Sequence, residues 1–167
     1  MKRISHFLTL ILLTTAITSA DTRALAQAAS TVAGSVAPDA ATARETVDKL
    51  FTGMRNGDST AVRSVFTKTA ALTSISKNAA DSVVTHKGSV DGFVKAVGTP
   101  HKEQWDERIY DVKISIDRPM AVVWAPYKFY LGGKFSHCGV NVFNLLKTSA
   151  GWKINDITDT RRKDACP

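Results

Sequence analysis

The last third of the chain, residues 120–162, constrains the fold more than any other part of the sequence. It contains three stretches in which apolar and polar residues alternate, the pattern typical of β-strands. Two short turns separate them, Leu131-Gly132-Gly133 and Thr148-Ser149-Ala150-Gly151. Strands joined by turns this short pair antiparallel, so the sequence predicts a three-stranded meander here.

Three helices are predicted in the N-terminal half. Thr42 and Glu45 match a capping box, and apolar residues follow at helical spacing up to Met54. Asp58 or Ser59 is placed to cap a second helix and Ser89 a third, since their side chains can accept hydrogen bonds from early backbone N–H groups.

The remaining periodic segments are predicted as strands. Residues 70–76 and 83–86 are short, and residues 105–116 alternate as one long strand with Tyr110 and Glu107 on opposite faces. Helices are concentrated before the long strands. The order therefore predicts an α+β fold in which helices cover one face of a curved sheet.

The N-terminus has the features of a signal peptide. Basic Lys2 and Arg3 precede an apolar stretch at residues 7–17, and small residues allow cleavage after Ala20 or Ala26, the latter being the better match. The apolar stretch is shorter than the roughly 20 residues that span a bilayer, and an uncleaved anchor is the alternative. The protein is therefore expected to be exported, to the periplasm or the medium.

The sequence after the signal peptide predicts one domain. Residues 1–26 are assigned to the signal peptide, residues 27–39, which carry almost no charge, to a flexible lead-in, and residues 40–167 to a single domain. The formal charge of +7 falls to +5 when the signal peptide is removed. The remaining basic residues are interspersed with Asp and Glu, so neither nucleic acid nor, after cleavage, a membrane is an expected partner.

Cys138 and Cys166 are the only cysteines. In an oxidising compartment two cysteines most simply form one disulfide. The predicted register places Cys138 opposite Arg161 rather than Cys166, so the tail must fold back for the sulfurs to meet. The alternative is a reactive Cys138, whose neighbour His137 points to the opposite face of the sheet.

Several short segments of the sheet region carry a likeness to a known superfamily: residues 121–127, 129–130, 133–134, 136–139, 151–154 and 160–162. With these segments and the order of elements, the chain resembles the nuclear transport factor 2-like (NTF2-like) superfamily over about residues 40–166. The most similar members are the exported lumazine-binding-like and polyketide cyclase-like proteins. The resemblance implies a cone-shaped barrel of a curved, mostly antiparallel sheet, with three helices from the N-terminal half packed on its concave face. It also implies an apolar pocket and, in many members, a homodimer through the outer sheet face.

The predicted pocket wall follows from the register of the meander. Pairing Leu131 with Lys134 places Trp124 opposite Asn141 and Lys128 opposite His137. The predicted ligand-binding residues are Trp124, Asn141, Phe143 and Tyr110.

Two residues are candidates for catalysis. His137 has a reference pKa near neutrality and could transfer a proton; a histidine hydrogen-bonded within the sheet is the alternative. Asp156 could act as a general base if burial raises its pKa; a polar residue at the rim is the alternative. The buried carboxylate and tyrosine of ketosteroid isomerases cannot be placed on this sequence. The mature histidines are far apart, and neither a metal nor an organic cofactor is expected.

Three functions remain open from the sequence. The first is an exported, non-catalytic protein that binds a small apolar or aromatic organic ligand. The second is a cofactor-independent isomerase, cyclase or dehydratase that uses His137 or Asp156 as general acid or base. The third is an interaction module that uses the outer sheet face. The superfamily contains both enzymes and binding proteins, so fold alone does not choose between them.

Overall fold

A computed structural model describes the backbone of residues 20–167 and the side chains of residues 38–167. The chain divides into two units, of which the longer, residues 35–167, contains the sheet and the core. Most of the predicted signal peptide lies outside the described residues. The backbone is helical over residues 27–39, the predicted lead-in. The division into signal peptide, lead-in and domain stays a prediction.

Two of the three predicted helices begin where the sequence indicated. Asp58 accepts a hydrogen bond of 2.8 Å from Ala61 N, and Ser89 accepts one of 2.8 Å from Gly92 N. Thr42 does not begin a helix, because the alanine-rich residues before it are themselves helical, and its hydroxyl donates back to carbonyl oxygens of the preceding turn. The helices are α1 (Ala20–Asn56), α2 (Ser59–Ser64) and α3 (Val90–Gly98).

In the described part of the chain, seven strands form one open, curved sheet in the order β2-β1-β7-β6-β5-β3, with β4 also paired to β5. The pairing of β1 with β7 is parallel, and the other pairings are antiparallel. The predicted α+β cone is confirmed. The strands are β1 (Phe66–Lys77), β2 (Val83–Ser89), β3 (Trp105–Ile109), β4 (Lys113–Asp117), β5 (Met120–Leu131), β6 (Lys134–Thr148) and β7 (Gly151–Arg161).

The long strand predicted at residues 105–116 is two strands, β3 and β4. The break lies at Asp111, whose φ of +41° is a conformation that Asp tolerates better than most residues. Tyr110 and Glu107 do lie on opposite faces, as predicted, but Glu107 is the one that faces inward. The Tyr110 ring lies on the outer face, where the Lys128 ammonium is 5.2 Å from its centroid.

A β-bulge between Phe129 and Tyr130 shifts the pairing of β5 with β6 by one residue. Trp124 therefore pairs with Val142, and Lys128 with Cys138, not with the partners predicted from the sequence. Because side chains alternate between faces, a shift of one residue moves every side chain beyond the bulge to the other face. The predicted inward position of Trp124 is therefore wrong, and its side chain is 46% exposed.

A second bulge, between Asn144 and Leu145, changes the pairing of β6 with β7. The predicted register holds from the turn to Leu145, which pairs with Ile154. Beyond the bulge Asn141 pairs with Asp159. Asp159 is thus turned inward, and the predicted inward position of Asp156 is wrong for the same reason.

The core lies between the concave face of the sheet and the helices. Phe51 of α1 meets Phe143 of β6 edge to face at 6.0 Å, and Phe66 meets Phe93 of α3 similarly at 6.4 Å. Burying a phenylalanine side chain contributes about 1.5–3 kcal/mol to the free energy of unfolding. Other buried core residues are Ala43, Val47, Leu50, Val62, Val97, Val123, Leu145 and Ile154.

Cys138 and Cys166 form a disulfide, as predicted. Backbone hydrogen bonds pair Cys138 with Arg162 in both directions at 2.9 Å. The predicted partner, Arg161, is one residue off because of the second bulge. After Arg162 the tail turns through Ala165, where φ is +44°, and brings Cys166 back to β6.

The outer face of the sheet exposes several large apolar side chains, including Met120, Trp124 and Leu146. The predicted homodimer through this face stays a prediction. None of the described helices is long and apolar enough to cross a membrane.

Candidate functional site

A cavity of about 190 Å³ lies between the helices and the concave face of the sheet. An apolar cavity of about 150 Å³ admits benzene, so this one has room for a single-ring molecule. One part of its wall is apolar and one part is polar. The apolar part consists of Leu50, Phe51, Met54, Leu72, Phe93, Phe143 and Ile157; the polar part consists of Ser74, Glu107, Tyr127, His137, Asn141, Asp159 and Arg161.

Three of the residues predicted to form the site line this cavity together: His137, Asn141 and Phe143. All three belong to β6 and alternate along it, so they face the same side. This part of the predicted wall depends only on the alternation within one strand, and bulges elsewhere do not affect it.

The other three predicted site residues lie away from the cavity, and their placement is corrected. Asp156 is on the outer face, where its Oδ1 accepts hydrogen bonds from Asn144 (3.3 Å) and Thr158 (3.2 Å). Trp124 and Tyr110 also lie on the outer face. Trp124 and Asp156 each lie beyond a β-bulge, and Tyr110 lies at the break between β3 and β4. Each of these irregularities reverses the face that simple alternation predicts.

Glu107 is the inward carboxylate that the sequence alone did not assign. It projects from β3, and Asn141 Nδ2 donates a hydrogen bond of 2.6 Å to its Oε1. Desolvation raises the pKa of Glu107 to about 7; the hydrogen bond from Asn141 lowers this pKa, the nearby Asp159 carboxylate raises it, and Arg161 lowers it. Near neutral pH this carboxyl group is therefore present in both protonation states.

Asp159 is a second buried carboxylate on the polar wall. It accepts hydrogen bonds from the hydroxyls of Ser74 and Tyr127 and from Arg161 Nε at 2.9 Å. These three donors come from β1, β5 and β7, so Asp159 ties together three strands at one end of the cavity. Its charge is paired with that of Arg161.

His137 and Tyr127 complete the polar wall. The His137 ring meets the Tyr127 ring edge to face at 5.8 Å, and its Nδ1 lies 3.1 Å from Ser136 Oγ. Desolvation lowers the pKa of His137, and the positive charge of Arg161 lowers it further, so its imidazole is neutral at pH 7. The single Tyr127 hydroxyl proton is shared between Asp159 Oδ2 at 3.3 Å and Thr160 O at 3.0 Å, and desolvation raises the pKa of Tyr127, so the phenol stays protonated.

This arrangement can bind an uncharged ring and can move a proton. The apolar wall desolvates a bound ring, while Glu107 and the neutral His137 present groups that donate or accept hydrogen bonds. The prediction of one continuous strand with Tyr110 facing the pocket turned Glu107 outward, whereas the strand break at Asp111 reverses the alternation and turns Glu107 inward. The signal for that break was Asp111 itself, a residue type enriched at positive φ, within an otherwise apolar alternation.

Comparisons with known proteins agree with this fold. Residues 38–156 match the sequence model of a family described as "Putative lumazine-binding". No curated protein matches the chain.

Many solved structures resemble the fold. An NTF2-like protein of unknown function from Shewanella baltica is 17% identical, covers 74% of this chain and 93% of its own, and has a TM-score of 0.52. An NTF2-like protein with a cystatin-like fold from Novosphingobium aromaticivorans is 12% identical, with coverages of 81% and 89% and a TM-score of 0.64. A "Putative Scytalone Dehydratase" from the same organism is 11% identical, with coverages of 79% and 88% and a TM-score of 0.59. At these identities the likeness concerns the fold.

Proposed function

The chain belongs to the "Putative lumazine-binding" family of the NTF2-like superfamily, and we propose that it is an exported protein that binds a small, uncharged, single-ring organic molecule in its cavity. The observation that carries the proposal is the cavity of about 190 Å³ with one apolar and one polar wall. Ligand sites combine an apolar surface with a few convergent polar groups in this way.

The size and chemistry of the apolar wall set the kind of ligand. Phe51 and Phe143 meet edge to face beside the cavity, and Met54 adds an adaptable thioether side chain. A flat ring can contact such a wall over its whole face. The volume favours one ring over large polycyclic compounds such as steroids.

The charges on the polar wall favour an uncharged ligand. Asp159 is paired with Arg161, so the pair has no net charge, and Glu107 adds between zero and one negative charge near neutral pH. A ligand carboxylate would meet this negative charge, and a ligand cation would have to lose its hydration in an apolar cavity. A neutral molecule avoids both costs.

Export is supported by the predicted signal peptide and by the disulfide. Structural disulfides persist mainly in oxidising compartments such as the periplasm or the extracellular medium. The proposal therefore places the protein outside the cytoplasm, where it would meet diffusible small molecules.

Mass spectrometry of the natively purified full chain, followed by thermal-shift measurements with phenol, toluene and uracil, tests the proposal. We expect a retained small molecule, or a rise in melting temperature with at least one of these rings. Leu72→Phe, which adds bulk to the cavity wall, should abolish the effect, whereas Leu146→Phe on the exposed outer face should keep it. Equal responses of the two variants, or no response of the wild type, would contradict the proposal.

A second candidate is a cofactor-independent proton-transfer enzyme of the isomerase or dehydratase type. It is favoured by Glu107, whose pKa of about 7 suits a general acid or base at neutral pH. His137 remains the second candidate group, and Glu107 takes the role first given to Asp156. If Glu107→Gln still binds a ligand but no longer converts it, the enzyme is supported; if no compound that binds is ever converted, the binding protein stands.

A further inference from the structure

The concave face of the sheet is uncovered along β2, the strand at one edge. The register with β1 pairs Gly88 with Leu72 and His86 with Ser74. Paired residues of neighbouring strands share a face, and Leu72 and Ser74 line the cavity, so Gly88 and His86 also lie on the concave side. Both are nevertheless exposed. The helices therefore do not cover the sheet at this edge.

The cavity reaches this uncovered edge. In the middle of the sheet the concave face is closed off, and Val123 of β5 and Leu145 of β6 are fully buried there. Among the described residues that line the cavity, only Gly88 and Arg161 are exposed. Arg161 pairs with Ser76 of β1, the strand next to β2. Both exposed residues thus lie on the same side, and the cavity opens to solvent there.

Gly88 keeps this opening free of side-chain atoms. A Cβ atom at this position would lie 3.5 Å from Leu72 Cβ and 3.8 Å from Leu72 Cδ1, and no other atom lies within 4 Å of it. The backbone does not require glycine here, because its φ lies outside the left-handed region. A glycine inside a strand often marks a place where a ligand approaches the backbone closely. The missing side chain leaves a passage from the cavity to solvent.

We propose that the cavity holds the terminal ring of a larger uncharged molecule, whose remaining chain passes over Gly88 into solvent. The volume of about 190 Å³ limits what lies inside the cavity, whereas the opening leaves the attached chain unrestricted. The ring lies against the apolar wall formed by Phe143 and its neighbours. This inference rests on the proposed function, since it names the kind of molecule that the same cavity binds.

An open and a closed cavity treat an attached chain differently. A polar chain that leaves through the opening keeps its contact with water, so it neither gains from burial nor has to lose its hydration. In a closed cavity of the same volume, the chain would have to displace packed side chains of the wall, which is unfavourable. The affinity for a ring should therefore be nearly independent of an attached chain if the opening is used, and should fall sharply if it is not.

Titration calorimetry of the full chain with two phenyl ethers tests the inference. Anisole is a single ring with a methoxy group, and triethylene glycol monophenyl ether carries an uncharged, water-soluble chain on the same ring oxygen. The second compound as a whole is larger than the cavity. We expect the two dissociation constants to agree within about threefold. If only anisole binds, the inference is overturned and the proposed function stands; if neither binds, the proposed function is contradicted as well.

Two variants of β2 locate the passage. Gly88→Leu fills the free space on the concave side and should weaken binding of the glycol ether at least about tenfold more than binding of anisole. Thr85→Leu is the matched control, because Thr85 pairs with Ile75 on the outer face, and both ethers should bind to it as to the wild type. An equal effect of Gly88→Leu on the two ethers would overturn the inference. The wild-type comparison decides it even if Gly88→Leu fails to fold.

Discussion

Asn141 donates a 2.6 Å hydrogen bond to Glu107 across an intervening strand. Asn141 lies on β6 and Glu107 on β3, and β5 runs between them. The residue of β5 opposite Asn141 is Ala125, which is fully buried, and the residue of β5 opposite Glu107 is Phe129. The hydrogen bond thus orients a carboxyl group on the polar wall of the cavity.

Replacing Glu107 with Gln should stabilise the protein at alkaline pH. The pKa of Glu107 is raised from about 4.5 in an unfolded chain to about 7, so the folded state binds the extra proton between these values. Stability conferred on the neutral form is complete below about pH 4.5 and is lost as pH rises through about 7. The neutral Gln avoids this loss, which is on the order of 3 kcal/mol. Urea unfolding at pH 5 and pH 8 measures it.

The difference in the free energy of unfolding between Glu107→Gln and the wild type separates the contribution of Glu107 from that of His137. The pKa of His137 is lowered, so its contribution has the opposite sign and destabilises the fold as pH falls below the ordinary histidine value. Because both proteins keep His137, its effect cancels in the difference between them. A difference that does not change between pH 5 and pH 8 would show that Glu107 is not desolvated in the folded protein.

Replacing Asp159 with Asn should lower the pKa of Glu107. The Asp159 carboxylate is one of the groups that raise this pKa, and its removal also leaves Arg161 without its partner, which favours the ionised form of Glu107. A titration of the Glu107 side-chain carbon by NMR measures the change. Asp156→Asn is the matched control, because Asp156 lies on the outer face, and the titration of Glu107 should not move in that variant.

How much of the site could be predicted from the sequence depends on how far each residue lies from a turn or bulge. His137, Asn141 and Phe143 were placed correctly because alternation within β6 alone puts them on one face. Asp156 and Trp124 were misplaced because their faces were counted across β-bulges that add one residue to one strand. A bulge leaves little trace in the pattern of apolar and polar residues, since both faces of this sheet are apolar.

The fold itself depends on more redundant signals. The caps at Asp58 and Ser89 and the two glycine-containing turns were each visible locally, and together they fix the order of helices and strands. The parallel pairing of β1 with β7 joins segments far apart in the chain, and nothing local in either strand encodes it. Glu107 faces the cavity because the strand break at Asp111 reverses the alternation of side chains between β3 and β4. The strand propensities of the residues in this segment do not reveal that break.

Replacing Gly139 with Ala should strongly destabilise the protein. A Cβ atom at this position would lie 1.7 Å from Thr160 O, which is backbone and cannot move away cheaply. The same close approach lets Tyr127 OH donate to Thr160 O. We expect a loss of about 3 kcal/mol or more in the free energy of unfolding, measured with urea. Gly88→Ala is the control, because its Cβ would meet Leu72 at an ordinary 3.5 Å; equal losses in both variants would contradict the argument.

Removing the disulfide should destabilise the protein by about 3.5 kcal/mol, because the Cys138–Cys166 bond closes a loop with a sequence separation of 28 and restricts the unfolded chain. The suitable variant is Cys166→Ser, since Cys138 is fully buried and a hydroxyl there would add a separate cost. Guanidinium unfolding of this variant should match that of the reduced wild type. The tail also pairs with β6 beside the cavity, through Cys138 and Arg162, so ligand binding should weaken in parallel with stability. If oxidised and reduced wild type unfolded at the same denaturant concentration, the disulfide would have no stabilising role in the folded chain.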